Sequence, residues 1–584
     1  MWTYRAPLRD MQFVIFELLP VAADWSRTGA FAQLDAGTVM EILHGAARFA
    51  SERLLPLNAS GDAQGCHFEA GSVRTPAGFA AAYREFCEAG WPALACDPEA
   101  GGQGLPQLVN AALYEMLNAA NHAWTMYPGL AHGAYECLRA FASEPLKREY
   151  LGRIVDGTWL ATMCLTEPQA GSDLSKVATR AEAQHDGSYL ITGSKIFISG
   201  GEQDLTPNIV HMLLARLPDS PPGTRGLSLF LVPKLECAAG GFRRNAVYCD
   251  AIEKKLGIRG SATCLMRFEG ARGWLIGEPH RGLAAMFVMM NAARLHVGLQ
   301  GLGHGEAAFQ NALRYALERV QGARPIAEHA AVRRTLLTLR AFTEGQRALA
   351  YWCAHLLDVA QAHPDAGERA RAADLAALLT PVVKSFLTEN GYGCASAALQ
   401  VWGGYGYLRE YGIEQCLRDS RIALIYEGTN EIQSLDLLTR KVLGEGGNAR
   451  LDALLQLLLA EASAAKDVGL VPFAETLATL LAQLRQATRA LRTDASEDPE
   501  LPQRVAGDYT RLLGLLMLGG LWARAARLAA RHDRTDPFYR SKADTAQFYF
   551  DYLLPEASWR LRLIESGRRP LPHLSAPAAG RGRR

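Results

Sequence analysis

SYLITGSKIFIS (residues 188–199), followed by NIVHMLLAR (208–216) and GLSLFLVP (226–233), decides the fold class, because here the chain leaves the helical period. These runs are rich in β-branched and aromatic residues and are separated by GG and PDSPPGTRG, the pattern of strands joined by turns. Section 159–282 therefore reads as an antiparallel barrel or sandwich. On its N-terminal side, apolar residues of 36–158 recur at threes and fours, as in VMEILHGAARFASERLLPL, and DPEAGGQGLP (97–106) breaks the pattern. That part reads as a helical domain preceded by an extension, 1–35. On the C-terminal side helices return over 283–445. The run GLAAMFVMMNAARLHVGLQGLGHGEAAFQNALRYALERV has no proline and predicts one or two long helices. A further helical stretch, 333–392, leads through GGYGYL (403–408) to GEGGNAR (444–450), a Gly-rich hinge into an additional helical domain, 446–567. Residues 568–584, rich in Arg, Pro, Ala and Gly, read as a disordered tail. The class is mainly α with a central β-domain.

With 584 residues, 49% of them hydrophobic, the chain has ample material for several packed domains. A formal net charge of +1 with interspersed signs argues against nucleic acid and membrane surfaces as partners. Eleven cysteines at irregular spacings, with no CxxC pair, argue against a disulfide framework and a zinc site, so no metal is expected. Charged residues interrupt the apolar N-terminus, unlike a secretory signal. The most apolar run, 512–523, is well short of the roughly twenty residues needed to span a bilayer. These features predict a cytoplasmic protein.

Two motifs carry chemistry. IYEGTNEIQ (425–433) holds Glu427 on a short turn between apolar residues, Ile425 and Tyr426 before it and Ile432 after, where desolvation would strengthen it as a base toward a carbon acid. The plain alternative is an exposed Glu that opens a helix beside Thr429, and the triplet alone favours that alternative. MCLTEPQAGSDLS (163–175) leaves a strand and turns through Pro168, Ala170, Gly171 and Ser172. It offers backbone N–H groups, hydroxyls and a carboxylate to a planar heterocycle or a pyrophosphate, or else is a turn capped by Ser172 and Asp173. Neither a GxGxxG after a strand nor a GxxxxGK[ST] occurs, so Rossmann and P-loop binding are unsupported. GLQGLGHG (298–305) reads as a place where helices approach closely, with His296 and His304 as packing or surface groups.

The ordered set MCLTEPQAGSD, KIFISGGEQD, the NAAR helix and QVWGGYGYLREYGIEQCLRDSRIALIYEGTNEIQ resembles the flavin-dependent acyl-CoA dehydrogenase family over roughly 36–443. YRAPLRDMQFV, PLNASGDAQGC and YPGLAHGA extend the resemblance to its long, 3-methylmercaptopropionyl-CoA dehydrogenase-like branch. The resemblance implies an N-terminal helical domain, a central β-domain and a four-helix bundle around FAD, plus the additional domain and a homodimer. It also implies α,β-dehydrogenation of a thioester, 3-methylmercaptopropionyl-CoA or a fatty acyl-CoA, with reoxidation by an electron-transferring flavoprotein. Alternatives on the same scaffold are an acyl-CoA oxidase and a DNA-associated flavoprotein of the alkylation-response type.

By the same resemblance, Glu427 is the base and its backbone N–H helps to hold the thioester carbonyl. Met163, Cys164, Leu165, Thr166 and Ser172, then Phe197, Ile198 and Ser199, match segments along the flavin. Arg319, Gln400, Gly403 and Gly404 match cofactor contacts, the last three reaching across a dimer interface, and Thr429 matches a further one. Ser172, Asn291, Arg294, Tyr426 and Gly428 match substrate-side positions. Glu431 replaces the Gln of many relatives. Ala293 stands where some relatives carry their base, and it cannot take a proton.

Overall fold

The structure is a computed structural model in which residues 2–238, 241–533, 535–572 and 574 are described. Most of the expected tail, 573 and 575–584, lies outside the described residues. Helices α1 (Leu8–Phe13) and α2 (Val21–Arg27) precede an N-terminal helical domain. That domain comprises α3 (Ala36–Arg48), α4 (Pro56–Gln64), the hairpin β1 (His67–Glu69) and β2 (Ser72–Arg74), α5 (Phe79–Glu88), α6 (Gln107–Thr125), α7 (Ala131–Phe141), α8 (Glu144–Leu146) and α9 (Gly152–Val155). Helix α6 is buried along nearly its whole length and bends at Asn121, which leaves the helical region (φ −159°, ψ 87°) and accepts the Trp124 N–H on its side chain at 3.0 Å.

The middle domain is a barrel. Its strands are β3 (Trp159–Cys164), β4 (Arg180–Ala183), β5 (Tyr189–Ser199), β6 (Asn208–Arg216), β7 (Leu227–Pro233), β8 (Leu235–Ala238), β9 (Gly241–Arg244), β10 (Val247–Ile252) and β11 (Thr263–Ile276). Strands β11, β5, β4, β6 and β7 close a ring, because β7 pairs with both β6 and β11. The ring is antiparallel except at β4 and β6, which meet in parallel at Arg180 and Arg216; β3 joins β6 in parallel from Trp159 opposite Asn208 to Cys164 opposite Leu213. The expected antiparallel sheet is thus mixed, since the chain runs from β3 through β4 and β5 before it returns beside β3 in β6. Ile191, Leu213, Phe230, Val232, Cys264 and Phe268 fill the interior.

The chain then forms α10 (Gly282–Glu318), a single helix of 37 residues, followed by α11 (Ala330–Ala362) and α12 (Ala366–Trp402). The continuous stretch expected over 333–392 is two helices: His363 and Pro364 interrupt it, and the Asp365 side chain restarts the helix by accepting the Glu368 N–H at 2.8 Å. Short helices α13 (Ile413–Ser420) and α14 (Asn430–Leu435) complete the bundle against α10 and α12. The glycines of α10 do the packing work expected of them. A Cβ on Gly301 would sit 2.4 Å from the Leu387 carbonyl oxygen, and one on Gly303 would sit 2.8 Å from the Ala119 nitrogen. His296 and His304 are both buried, so they are core groups.

The additional domain is α15 (Gly447–Asp467), α16 (Val471–Glu497), α17 (Leu501–Ala529), α18 (Pro537–Phe548) and α19 (Glu556–Ser566). Helix α17 touches the other four and also packs on α11, α12 and α14. Helices α10 and α17 are long and apolar enough to cross a membrane, and 61% and 83% of their most apolar windows are buried inside the protein. The N-terminal extension is no loose arm. Phe13 meets Phe538 edge-on at 5.5 Å, and the Tyr539 hydroxyl donates to Glu17 at 2.6 Å. Residues Arg568 to Pro572 and Leu574 are described, and Arg568 pairs with Asp494 at 2.5 Å.

Candidate active site

Glu427 sits between the short helical turn Arg421–Leu424 and α14, with a left-handed backbone (φ 56°), and Gly428 follows at φ 83°. Two successive left-handed residues fold the chain back sharply, a conformation that strains a Glu and favours a Gly. Thr429 then caps α14, its hydroxyl accepting the Ile432 N–H at 3.4 Å. Buried Gln433 donates its side-chain amide to the Glu427 carbonyl at 2.9 Å, and a Cβ on Gly428 would lie 2.6 Å from that amide nitrogen. The turn is held by the last residue of its own motif, a role that motif spacing did not reveal.

Among the described residues, neither the Glu427 carboxylate nor its backbone N–H has a hydrogen-bond partner. Burial pushes the carboxyl above its usual range, and Arg294 and then Lys384 pull it back. Ile425 was expected to help shield it but is itself exposed. The desolvating wall is instead a pocket between α6, α10 and the turn. Tyr114, Asn118, Met126, Ala293, His296, Val297 and Gln300 line it together with Tyr426 and Glu427. Ala293 therefore faces the same cavity as Glu427 and offers it only a methyl group. The Tyr426 hydroxyl is tied to Gln300 and lies 3.1 Å from His122, whose other ring nitrogen is 2.9 Å from His304.

Arg294 is buried and donates to Asp436 at 3.2 Å, with Asn291 as a longer acceptor at 3.4 Å; Asn291 itself is exposed. Glu431 is in the first turn of α14 and exposed.

The second cluster is on the barrel. Leu165 and Thr166 follow β3 and are partly exposed, Ser172 is exposed, and Asp173 accepts the Ser175 N–H at 3.0 Å. Met163 and Cys164 point to opposite faces of β3: Met163 into the interdomain core, Cys164 into the barrel interior beside Thr162 and His211. Any contact Cys164 makes outside the barrel must come from its main chain. Between β5 and β11 the register slips, with Lys195 opposite Met266 but Ile198 opposite Cys264. At this bulge Phe197 takes a left-handed backbone (φ 60°) and stands 59% exposed, while Ile198 is buried and Ser199 is partly exposed. A strained bulge that turns an aromatic ring outward leaves the ring open to stacking with a planar group.

Sequence reasoning missed what fixes this bulge. Buried Lys195 pairs with Glu167 at 2.8 Å and donates to the Leu165 carbonyl at 2.9 Å. Glu167 also accepts from the Ala178 and Thr179 backbone and from the Thr179 hydroxyl, and the Ile196 N–H bonds the Thr166 carbonyl at 2.9 Å. The Lys195 ammonium and these hydrogen bonds hold the Glu167 carboxyl below its usual range against the effect of burial.

A third group lies elsewhere. Arg319 caps α10 beneath the Tyr405 ring, and Gly403 ends α12 at φ 58°. Arg319, Gly403 and Gly404 line an open cavity with Tyr315, Trp402 and Tyr405, separate from the Glu427 pocket, and Gln400 is exposed beside them. No Cβ would meet an atom at Gly403 or Gly404, so their backbones are open to a ligand.

Family models match residues 38–158, 162–271 and 280–443 as the N-terminal, middle and C-terminal domains of acyl-CoA dehydrogenase, and residues 451–574 as an acetyl-CoA dehydrogenase C-terminal-like domain. The chain is 41% identical to the 3-methylmercaptopropionyl-CoA dehydrogenase of Ruegeria pomeroyi, covering 95% of this chain and 97% of that one. It is 35% identical to a broad-specificity linear acyl-CoA dehydrogenase of Mycobacterium tuberculosis, covering 96% and 97%. The solved Caenorhabditis elegans ACDH-11 in complex with C11-CoA shares the fold, with a TM-score of 0.79 over 94% of this chain and 91% of that one at 21% identity. The chain belongs to the acyl-CoA dehydrogenase family of flavoprotein oxidoreductases acting on acyl-CoA thioesters, in the long form that carries an extra C-terminal helical domain.

Proposed function

We propose that Glu427 is the base of an FAD-dependent α,β-dehydrogenation, and the observation that carries this is its unpartnered, desolvated carboxylate in a pocket whose other candidate position is Ala293. Bound FAD would supply the acceptor for the β-hydride. Glu427 takes the α-proton through its side chain, and its free backbone N–H is available to the thioester oxygen on which charge develops. Arg294, fixed by Asp436, favours the ionised form of Glu427 against the effect of burial. The cofactor reading is supported by the outward Phe197 ring with Leu165, Thr166, Ser172 and Ser199 beside it, and by the open Arg319, Gly403 and Gly404 cavity with Gln400 at its edge. Thr429 serves mainly as the cap that holds the base turn.

Cofactor-facing residues at two separate places, and an exposed apolar rim of Leu317, Val320, Tyr405, Tyr407 and Leu408 near the second, support a homodimer. An electron-transferring flavoprotein as acceptor and a cytoplasmic location complete the reading. Domain limits at 36–158, 159–282, 283–445 and 446–567 are proposed with it. Tyr114 and His296, tilted against each other with ring centroids 4.3 Å apart, share the pocket lining with Met126 and favour a short acyl chain such as 3-methylmercaptopropionyl over a long fatty acyl chain. Anaerobic mixing of the holoenzyme with an acyl-CoA panel tests this. Short thioesters bleach the flavin fastest and Glu427→Gln bleaches at least about 1,000-fold more slowly, the scale expected when an essential proton acceptor is lost. Equal rates in wild type and variant would remove Glu427 from the mechanism.

A further inference from the structure

Lys384, on α12, is fully buried behind the base turn. Its ammonium donates to the Asn430 side-chain oxygen at 2.9 Å, and among the described residues it makes no ion pair. Asn430 is the first residue of α14, three positions after Glu427. It also accepts from the Thr388 hydroxyl at 3.3 Å and donates to the Ser385 carbonyl at 3.3 Å, so its side chain is docked on one turn of α12. A buried ammonium whose only hydrogen bond is to a neutral amide needs a counter-charge nearby.

Most neighbouring charges have partners of their own. Arg294 on α10, which also favours the Glu427 carboxylate, is bonded to Asp436, which takes Arg440 as well at 2.7 Å. Glu431 is exposed, and Lys441 lies beyond Asp436 on the turn after α14. Helix α17, packed against α12 and α14, brings Arg511, which is held by Asn390 and Glu556. His122, beside Tyr426, is kept neutral by burial. Glu427 is the carboxylate that answers Lys384 most strongly, ahead of exposed Glu431.

We propose that Lys384 is a positioning residue for the reaction: through Asn430 it anchors the start of α14, and its charge holds Glu427 ionised in the resting enzyme. The inference rests on Glu427 being the base. Consistent with it, burial pushes Lys384 down to about 7, with Glu427 the first opposing influence. The sign follows directly. Glu427 must be deprotonated to act, burial disfavours that, and a nearby cation favours it. Removing the cation moves the acidic limb of the rate upward in pH.

The test is the pH dependence of thioester-driven flavin reduction in anaerobic stopped flow, with flavin content and thermal midpoint recorded for each protein. Lys384→Met is expected to shift the acidic limb upward by about one pH unit, the scale of an opposite charge nearby. Asn430→Asp gives Lys384 a partner of its own and is expected to shift the limb the same way without removing the lysine. Lys384→Arg keeps the charge and is expected to keep the limb where wild type has it. If flavin-loaded Lys384→Met and Asn430→Asp both retain the wild-type limb, or if Lys384→Arg moves as far as Lys384→Met, the proposal fails. Should Lys384→Met not fold, Asn430→Asp and Lys384→Arg decide alone. The control separates the two readings: if Glu427→Gln bleaches like wild type, the base assignment falls and this inference with it. If that variant is inactive but the limbs do not move, only Lys384 is wrong.

Discussion

At the scale of single residues, stability and catalysis respond very differently to the same contact. The hydrogen bond from Gln433 to the Glu427 carbonyl is one neutral bond, worth about 1 kcal/mol to folding. It also fixes a left-handed residue that carries the proposed base, and misplacing such a group by an ångström can cost about 100-fold in rate. Gln433→Ala is therefore expected to lower kcat by about 100-fold, with KM and thermal midpoint little changed. Steady-state kinetics beside a melting curve check this, and a loss confined to stability would show that the bond merely holds the helix start. Glu427 was readable as a candidate base only through the family its motif resembles, since the triplet alone favoured a helix start, and Ala293 through the same resemblance of NAAR. Lys384 was not, because it meets the base turn only after α12 folds back against α14, and a lysine inside an apolar helical stretch carries no signal of that.

At the scale of elements, a buried ion pair decides whether the barrel presents its outward aromatic ring. Lys195 lies two residues before Phe197 on β5, and Glu167 lies one residue after Thr166, so their contact at 2.8 Å clamps the two segments proposed to hold the cofactor to each other. Removing one partner of such a pair strands the other charge and costs about 3–5 kcal/mol. Glu167→Gln is expected to lose FAD on gel filtration and to unfold at lower temperature. The wild type should show the matching pH signature. The folded-state Glu167 carboxyl is held below its unfolded value, so the unfolded chain binds more protons in between. This contribution is fully present above the ordinary carboxylate pKa of about 4.3 and is lost as pH falls through the lowered folded value. Melting of the holoenzyme from neutral to acidic pH should show that loss, and Glu167→Gln should flatten it. An equally steep acidic decline in the variant would assign the loss to other carboxylates. The helix and strand periods made these elements legible, but not the bulge, since a slip of register at Phe197 follows from pairing with β11 rather than from composition.

At the scale of the whole molecule, one buried charge cluster joins parts of the chain that sequence reading treated as separate. Arg347 of α11 contacts Glu115 of α6 at 2.7 Å, Glu306 of α10 at 2.5 Å, and Asp10 of α1, while the Tyr351 hydroxyl donates to Glu115 at 2.6 Å. Lys542 of α18 reaches the same Asp10 and also Glu344 of α11 at 2.7 Å. The extension, the first helical domain, the bundle and the additional domain thus share one set of compensated charges, which no periodicity could announce. The additional domain is consequently not a detachable ornament. Without it Lys542 is gone, Asp10 and Glu344 lose their shared cation, and the faces of α11, α12 and α14 that α17 covers are opened to water. A chain ending at residue 445 is expected to aggregate or to yield no flavin-loaded protein, although it keeps all the proposed site residues. Asp10→Asn in the full chain tests the charge part alone. It removes the anion shared by Arg347 and Lys542 while preserving shape, and should destabilise by about 3–5 kcal/mol, as expected for breaking a buried pair. Denaturant unfolding followed by flavin release measures it. If the truncated chain were folded and active, or if Asp10→Asn melted like wild type, the extension and the added domain would be independent of the catalytic core rather than built into it.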